Sequence, residues 1–203
     1  MGTHAFFIAP HPDDELLSMG MSILNHVYNG DNIVHLVLLN AGENSGVFDV
    51  AAGTQACWYH SKTHDPVAEG YAPFTVESFK AGKIENFKRV AYILGVKPEH
   101  IHIYDTVNED TTVQEVRDII LDLNARYPNN KWKSLSYHDT HPDHSNAGQA
   151  LLDEYNAGTI GTDVRFYAKN SLVRNGWWDA NTTTRIFPEG YEDSWLPYRD
   201  AAV

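Results

Sequence analysis

Apolar residues along this chain fall into two alternating rhythms. Ala5-Phe6-Phe7-Ile8-Ala9 and Ile33 to Leu39 are unbroken apolar runs with the length and flanks of buried strands. Other segments place apolar residues at helical spacing. Residues 15–29 carry Leu16, Leu17, Met19, Met21, Ile23, Leu24 and Val27 and close at Asn29-Gly30. Residues 79–95 carry Phe79, Ile84, Phe87, Val90, Ala91 and Leu94 and end at Gly95. Thr112 starts a helix running to about Tyr127, with Val113, Val116, Ile119, Ile120 and Leu123 as its apolar stripe and Glu115 at the capping-box position. Residues 145–156 form a last helix, and residues 4–9, 101–104, 133–137 and 164–167 read as strands.

Strands alternating with helices imply βαβ units, hence an α/β fold with a mostly parallel sheet covered on both faces. Such sheets bind ligands at the carboxyl ends of their strands. Two segments break the rhythm. Residues 43–78 hold Gly, Pro and aromatic residues without periodicity, as in a long functional or disordered loop. Residues 170–203, with Trp177, Trp178, Trp195, Pro188 and Pro197, read as an irregular segment. At 203 residues the chain is expected to be one domain, 1–203, with a core that needs no staples.

Composition narrows the partners. Net charge is −12, from 27 acidic and 15 basic residues, which argues against nucleic acid or an anionic membrane surface. No apolar stretch reaches the roughly 18 residues that span a bilayer, and the N-terminus lacks a secretory pattern. A cytoplasmic protein acting on a small molecule is the expectation. The sequence sets no oligomeric state. Cys57 is the single cysteine, expected as a buried thiol; an internal disulfide and a multi-cysteine zinc site are excluded.

The candidate chemistry sits at two predicted strand ends. Pro10-His11-Pro12-Asp13-Asp14-Glu15 follows the first strand, and His138-Asp139-Thr140-His141-Pro142-Asp143-His144 follows a later one. Imidazole and carboxylate suit a catalytic metal, with three protein ligands and one open position. His11, Asp14 and His144 are the candidate ligands of one ion, Zn2+ by donor type, with Fe2+ or Mn2+ compatible. Asp13 is then the general base and His141 the group facing a developing oxyanion. Asp143 is read as an orienting residue, and Glu15 as a helix-start charge or a support for the ligands. The competing reading is that Asp13, Asp14 and Glu15 only cap and charge the following helix.

The two motifs, in this order and at strand ends, resemble those of the zinc-dependent PIG-L/LmbE-like deacetylases. Gly20, Asn40-Ala41-Gly42-Glu43, and Glu85 through Leu94-Gly95-Val96 resemble that family more loosely. The resemblance covers roughly residues 4–168. It implies a Rossmann-like three-layer fold, a zinc held by His11, Asp14 and His144, Asp13 as base, and His141 beside the tetrahedral intermediate. It implies hydrolysis of an N-acetyl group, often on an N-acetylglucosamine unit. Lys83 stands where the family usually has an Arg that contacts the sugar, and Met19 replaces the first glycine of a pair. Lys83, Asp105, Asn108 and Tyr137 are the candidate substrate contacts. Alternatives are an amidase for a larger N-acyl group, another metal-dependent hydrolase such as a two-metal phosphoesterase, and a zinc-stabilised ligand-binding module.

Other histidines have plainer expectations. His60 and His64 are spaced to share a metal on a helix, but Pro66 argues against a helix there. A substrate-side or solvent-exposed loop is expected instead, with Trp58, Tyr59, Tyr71 and Phe74 giving it aromatic character. His35 is expected in the core, and His100 and His102 as structural residues. No Gly-x-Ser-x-Gly elbow and no phosphate-binding glycine loop occur.

Overall fold

The computed structural model describes residues 3–30, 32–43 and 45–168. The expectation for residues 170–203 lies outside the described residues. The element order is β1 (Thr3–Ala9), α1 (Asp14–Leu17), α2 (Gly20–Tyr28), β2 (Asn32–Leu38), α3 (Gly46–Ala51), α4 (Val76–Ile93), β3 (Ile101–Ile103), α5 (Val113–Arg126), β4 (Asn130–Leu135), α6 (Pro142–Ala157) and β5 (Val164–Tyr167). The strands form a five-stranded sheet in the order β3-β2-β1-β4-β5, and every pairing is parallel. This is the predicted α/β architecture with the Rossmann strand order.

Alternation along β1 explains the three layers. Ala5, Phe7 and Ala9 pack with Leu16, Met19 and Ile23 of the α1–α2 region and Phe87 and Ala91 of α4. Phe6 and Ile8 point the other way, onto Val116, Ile120 and Leu123 of α5 and Ala147, Ala150 and Leu151 of α6. Both faces of β1 are thus apolar, which is why it reads as an unbroken run. Successive crossovers run from β1 outward to β2 on one side and to β4 on the other. The order reverses between β1 and β4, and the crevice at this switch point is where an open α/β sheet binds ligands.

Four local details depart from the sequence reading. The helix expected over 15–29 is broken at Ser18-Met19 into α1 and α2, with Leu16, Met19 and Ile23 still in one core layer. Residues 43–78 are not all loop, since they contain α3 and the first turn of α4. Thr75 caps α4: its side chain accepts from Ser78 N, and Ser78 Oγ accepts from Thr75 N. A Thr-x-x-Ser box is a weaker sequence signal than the Thr112–Glu115 box, which forms as predicted. β4 starts at Asn130 rather than Lys133. Its Lys133 is fully buried and donates to Asp163 Oδ1 at 3.0 Å and Asp163 O at 3.1 Å. A buried lysine reads as polar until its partner, 30 residues away, is known. No helix among the described residues is long and apolar enough to cross a membrane.

Candidate functional site

The first motif is pinned by its own backbone. After β1 ends, Asp13 takes φ 139° and ψ −26°, a conformation costing about 1–3 kcal/mol for a residue with a side chain. Two carboxylates hold it there. Glu15 Oε2 accepts from Asp13 N at 2.9 Å, and Asp14 Oδ2 accepts from His11 N at 3.0 Å. Glu15 is 1% exposed, and burial pushes its pKa up to about 8 against the backbone hydrogen bonds that lower it. It therefore supports the strained turn rather than simply charging the helix start.

The second motif arrives on α6. His141 is the residue before the helix and Pro142 the first within it, a position where a missing N–H costs nothing. Asp143 N donates to His141 Nδ1 at 3.3 Å, so the neutral ring carries its proton on Nε2. One turn on, a Cβ placed on Gly148 would lie 2.4 Å from Tyr137 N and 2.6 Å from Leu135 O. Only glycine lets α6 approach the end of β4 so closely. That approach, one turn from His144, brings the second motif against the first.

Three donor atoms meet there. His11 Nδ1 and His144 Nε2 are 3.0 Å apart, and Asp14 Oδ2 is 3.5 Å from the first and 3.2 Å from the second. Tetrahedral zinc with bonds of about 2.0–2.2 Å spaces its ligand atoms by about 3.3–3.5 Å. The outer nitrogens are taken by carboxylates: His11 Nε2 lies 2.9 Å from Asp143 Oδ2, and His144 Nδ1 lies 3.2 Å from Asp139 Oδ2. A neutral His11 then carries its proton on Nε2, and the carboxylate beside His144 Nδ1 favours a proton on that nitrogen too. Two nitrogen lone pairs and a carboxylate then face one another, an arrangement suited to a cation. The ionisation equilibria carry the same signal. Burial lowers the His11 pKa, but Asp14 and Asp143 outweigh it and raise it to about 9. His144 is likewise raised by Asp139 and Asp14 against burial, while Asp14 is held well below its usual range by His11 and His144 although burial opposes this. The donor set fits a divalent metal.

His11, His141 and His144 also present ring nitrogens within 4.8 Å of one another. Asp14 is the better third ligand, because its oxygen is charged and lies within 3.5 Å of both other donors. His141 is left facing the cavity. Asp13 lies beside the donors, its pKa raised by burial and by the Asp14 charge.

The cavity above these residues measures about 440 Å³. His11, Asp13, Asp14, His141 and His144 all line it, as do Lys83 and Asn108. Lys83 Nζ donates to Pro12 O at 3.1 Å, and Asn108 N donates to Glu43 Oε1 at 3.2 Å. The other two expected substrate contacts lie outside its walls. Asp105 is on the surface, paired with Lys80. Tyr137 packs edge-on against Phe166 with ring centroids 5.2 Å apart.

A model of the PIG-L family, described as GlcNAc-PI de-N-acetylase, matches residues 6–155. The chain belongs to the PIG-L family. No curated protein matches it. Among solved structures, it resembles the 4-carboxy-2-hydroxymuconate hydratase GalB from Pseudomonas putida KT2440, with a TM-score of 0.69 and 17% identity over 98% of this chain and 77% of that one. It resembles a triple mutant of a deacetylase involved in teicoplanin biosynthesis, with a TM-score of 0.66 and 16% identity over 98% of this chain and 81% of that one. A third is the N,N'-diacetylchitobiose deacetylase of Pyrococcus horikoshii, with a TM-score of 0.56 and 16% identity over 97% of this chain and 75% of that one. At these identities the structures share the fold.

The motif residue Asp143 has partners that the sequence did not show, and two other residues of this PIG-L site had no strong sequence signal. Asp143 is fully buried, and besides His11 it accepts from Asn40 Nδ2 at 3.1 Å, Glu109 N at 2.9 Å and Thr111 N at 3.2 Å. Burial raises its pKa, but the bonds from His11, Glu109 and Asn40 bring it down to about 2. It ties the loops after β2 and β3 to both motifs. Glu109, with φ 65°, and Val47 of α3 also line the cavity. Only the turn-forming composition of Asn108-Glu109-Asp110 hinted at the first, and nothing in the sequence periodicity announced α3.

Proposed function

We propose that this protein is a zinc-dependent hydrolase that removes the N-acetyl group from a small amino-sugar-type molecule. The observation that carries the reading is the convergence of His11 Nδ1, His144 Nε2 and Asp14 Oδ2 at 3.0–3.5 Å, beside Asp13, in a cavity. PIG-L membership and the similarity to deacetylases support hydrolysis of an N-acetyl amide. His11, Asp14 and His144 would hold one ion, with Asp143 and Asp139 orienting the two rings. A bound divalent cation supplies Lewis acidity there, lowering the pKa of a water and polarising a carbonyl oxygen.

The chain's own groups do the rest. Asp13 takes the proton of the attacking water; it lines the cavity, and burial and the Asp14 charge raise its pKa, which favours a proton acceptor there. Having its proton on Nε2, His141 donates to the oxyanion of the former carbonyl. The proton held by Asp13 goes to the departing amine, so that free amine and acetate leave. The cavity of about 440 Å³ lies in the lower part of the range for small-molecule sites and suits an acetyl group on a small scaffold better than a long acyl chain. Lys83 and Asn108 are the groups from which substrate contacts would come.

A second reading rests on the similarity to a hydratase, whose reaction also adds water. Acetate release from a panel of N-acetylated amino sugars, with bound metal quantified, separates the two. Asp13→Asn is expected to keep the metal and lose about 10²–10⁴-fold in turnover. Unchanged acetate release by that variant would overturn the assignment. His144→Ala is expected to lose one equivalent of metal by elemental analysis, and retention of that equivalent would contradict the ligand role.

A further inference from the structure

A substrate-side or solvent-exposed loop is expected around His60 and His64, and the structure gathers the chemistry of residues 57–64 at one point. Cys57 N donates to Lys62 O at 2.8 Å, Ser61 N donates to Cys57 O at 2.7 Å, and Ala56 and Thr63 pair as an antiparallel bridge. Ser61 completes the reversal at φ 56°. No helix is needed: this tight turn places Cys57, His60 and His64 on one side. A thiol sulfur and one nitrogen from each ring all lie within 4.8 Å of one another. None of the three lines the cavity described above.

We propose that Cys57, His60 and His64 form a second metal site, which takes one zinc-class divalent cation and fastens the loop between α3 and α4. The donor set is soft sulfur with two imidazoles, and the Cys-x2-His-x3-His spacing falls within the range of zinc-binding turns. Around a tetrahedral zinc, these donors would stand about 3.3–3.6 Å apart. Closing from 4.8 Å asks for side-chain rotation rather than refolding.

Two further features point to a ligand here. First, the His60 backbone N–H, the His64 ring and the Tyr59 backbone N–H all converge on the Cys57 sulfur. Hydrogen-bond donors gathered round one sulfur favour the thiolate, the form that binds metal. Second, His64 Nδ1 lies 2.9 Å from Glu69 Oε1. A carboxylate on Nδ1 fixes the ring and leaves Nε2 for a metal, as Asp139 does for His144, while Asp143 does the same for His11 with the two nitrogens exchanged. Glu69 is itself placed by a compact segment in which Glu69 N donates to Asp65 O at 2.9 Å and Tyr71 N to Pro66 O at 2.7 Å. Gly53 seats the far end of the loop: with φ 75°, a Cβ there would lie 2.4 Å from His64 O. His60 is exposed, so an ion can enter from solvent.

Trp58 and Tyr59 lie between two of the proposed ligands, and both are exposed, at 66% and 84%. A metal at this turn would hold two large aromatic residues in one presentation on the surface. The site stands independently of the deacetylase reading, because it shares no residue with that centre.

Cobalt(II) loading of the metal-free full-length protein tests the proposal. Two equivalents are expected to bind. One of them should give a thiolate-to-cobalt charge-transfer band in the near ultraviolet, which a His/His/Asp centre cannot produce. Cys57→Ser is expected to bind one equivalent without the band, and His144→Ala one equivalent with it. Metal should also slow tryptic cleavage at Lys62 in the unmodified protein and not in Cys57→Ser. Saturation of the unmodified protein with cobalt and no thiolate band would overturn the site, whatever the variants do. So would an unchanged stoichiometry in Cys57→Ser.

Discussion

Two groups of histidines in this protein have similar burial and opposite chemistry. At the carboxyl ends of β1 and β4, His11 and His144 have raised pKa values, His11 to about 9. On the α5 face of the sheet, His4, His35 and His102 form a chain: His4 Nδ1 to His35 Nε2 at 2.9 Å, and His35 Nδ1 to His102 Nε2 at 2.9 Å. Their pKa values all fall, His35 to about 3 and His102 to about 4, first through burial and then through neighbouring cations such as His100 and Arg126. The difference lies in what surrounds the rings. The first group has Asp14, Asp139 and Asp143; the second has Phe6, Tyr127 and one another. A neutral imidazole donates from one nitrogen and accepts at the other, so the second chain satisfies itself without charge. In the first group the carboxylates fix the outer nitrogens and leave the inner lone pairs facing each other. Burial alone does not make a histidine a metal ligand; the anionic partner on its far side does.

Removing that partner should break the contrast most severely. Asp143→Asn keeps the volume but takes the charge from behind His11. Loss of stability of about 3–5 kcal/mol is expected in urea unfolding, with metal affinity at this centre lower by about 10–100-fold. Unchanged affinity would show that Asp143 only tethers loops. Gly148→Ala leaves both shells chemically intact but forces α6 off β4. A cost of about 1–3 kcal/mol is expected, with weakened metal binding because His144 rides on the same helix. A variant destabilised with undiminished affinity would separate the close approach from the site.

The smallest expected effect sharpens the other side. Each histidine with a lowered folded pKa contributes stability that is complete above its unfolded pKa near 6.5 and lost as pH falls toward the folded value. For His35 that window runs from about 6.5 down to about 3, with a slope of up to about 1.4 kcal/mol per pH unit. His35→Phe should cost about 1 kcal/mol at neutral pH and flatten the acid limb of the stability curve, with bound metal at pH 7 unchanged. An equally steep acid limb in that variant would move the acid sensitivity to His4, His100 and His102, whose pKa values are lowered as well.

How legible each part was depends on how local its cause is. The apolar runs of β1 and β2, the Thr112–Glu115 capping box and the His11–Asp14 turn are specified within a few residues, and each is visible in the sequence. The burial of Lys133 was not legible because its partner, Asp163, is contributed by a different segment. α3 and the start of α4 carry short or mixed periodicity. Asp105 and Tyr137 were placed near the cavity by sequence neighbourhood, but Lys80 and Phe166 draw them away. His60 and His64 were spaced for a helix, and a reversed turn brought them together instead, with Cys57.

The sequence by itself determined the alternation of strands and helices, the position of both motifs at strand ends and the donor types available for a metal. These follow from side-chain periodicity and local backbone chemistry. Only the tertiary structure decided which imidazoles face carboxylates and which face other rings. That choice depends on the parallel register of β1 with β2 and β4, and on the close approach of α6 that Gly148 allows. Across 133 residues of separation, His11 and His144 have no local means of knowing one another. Packing sets their distance, and the distance makes the site.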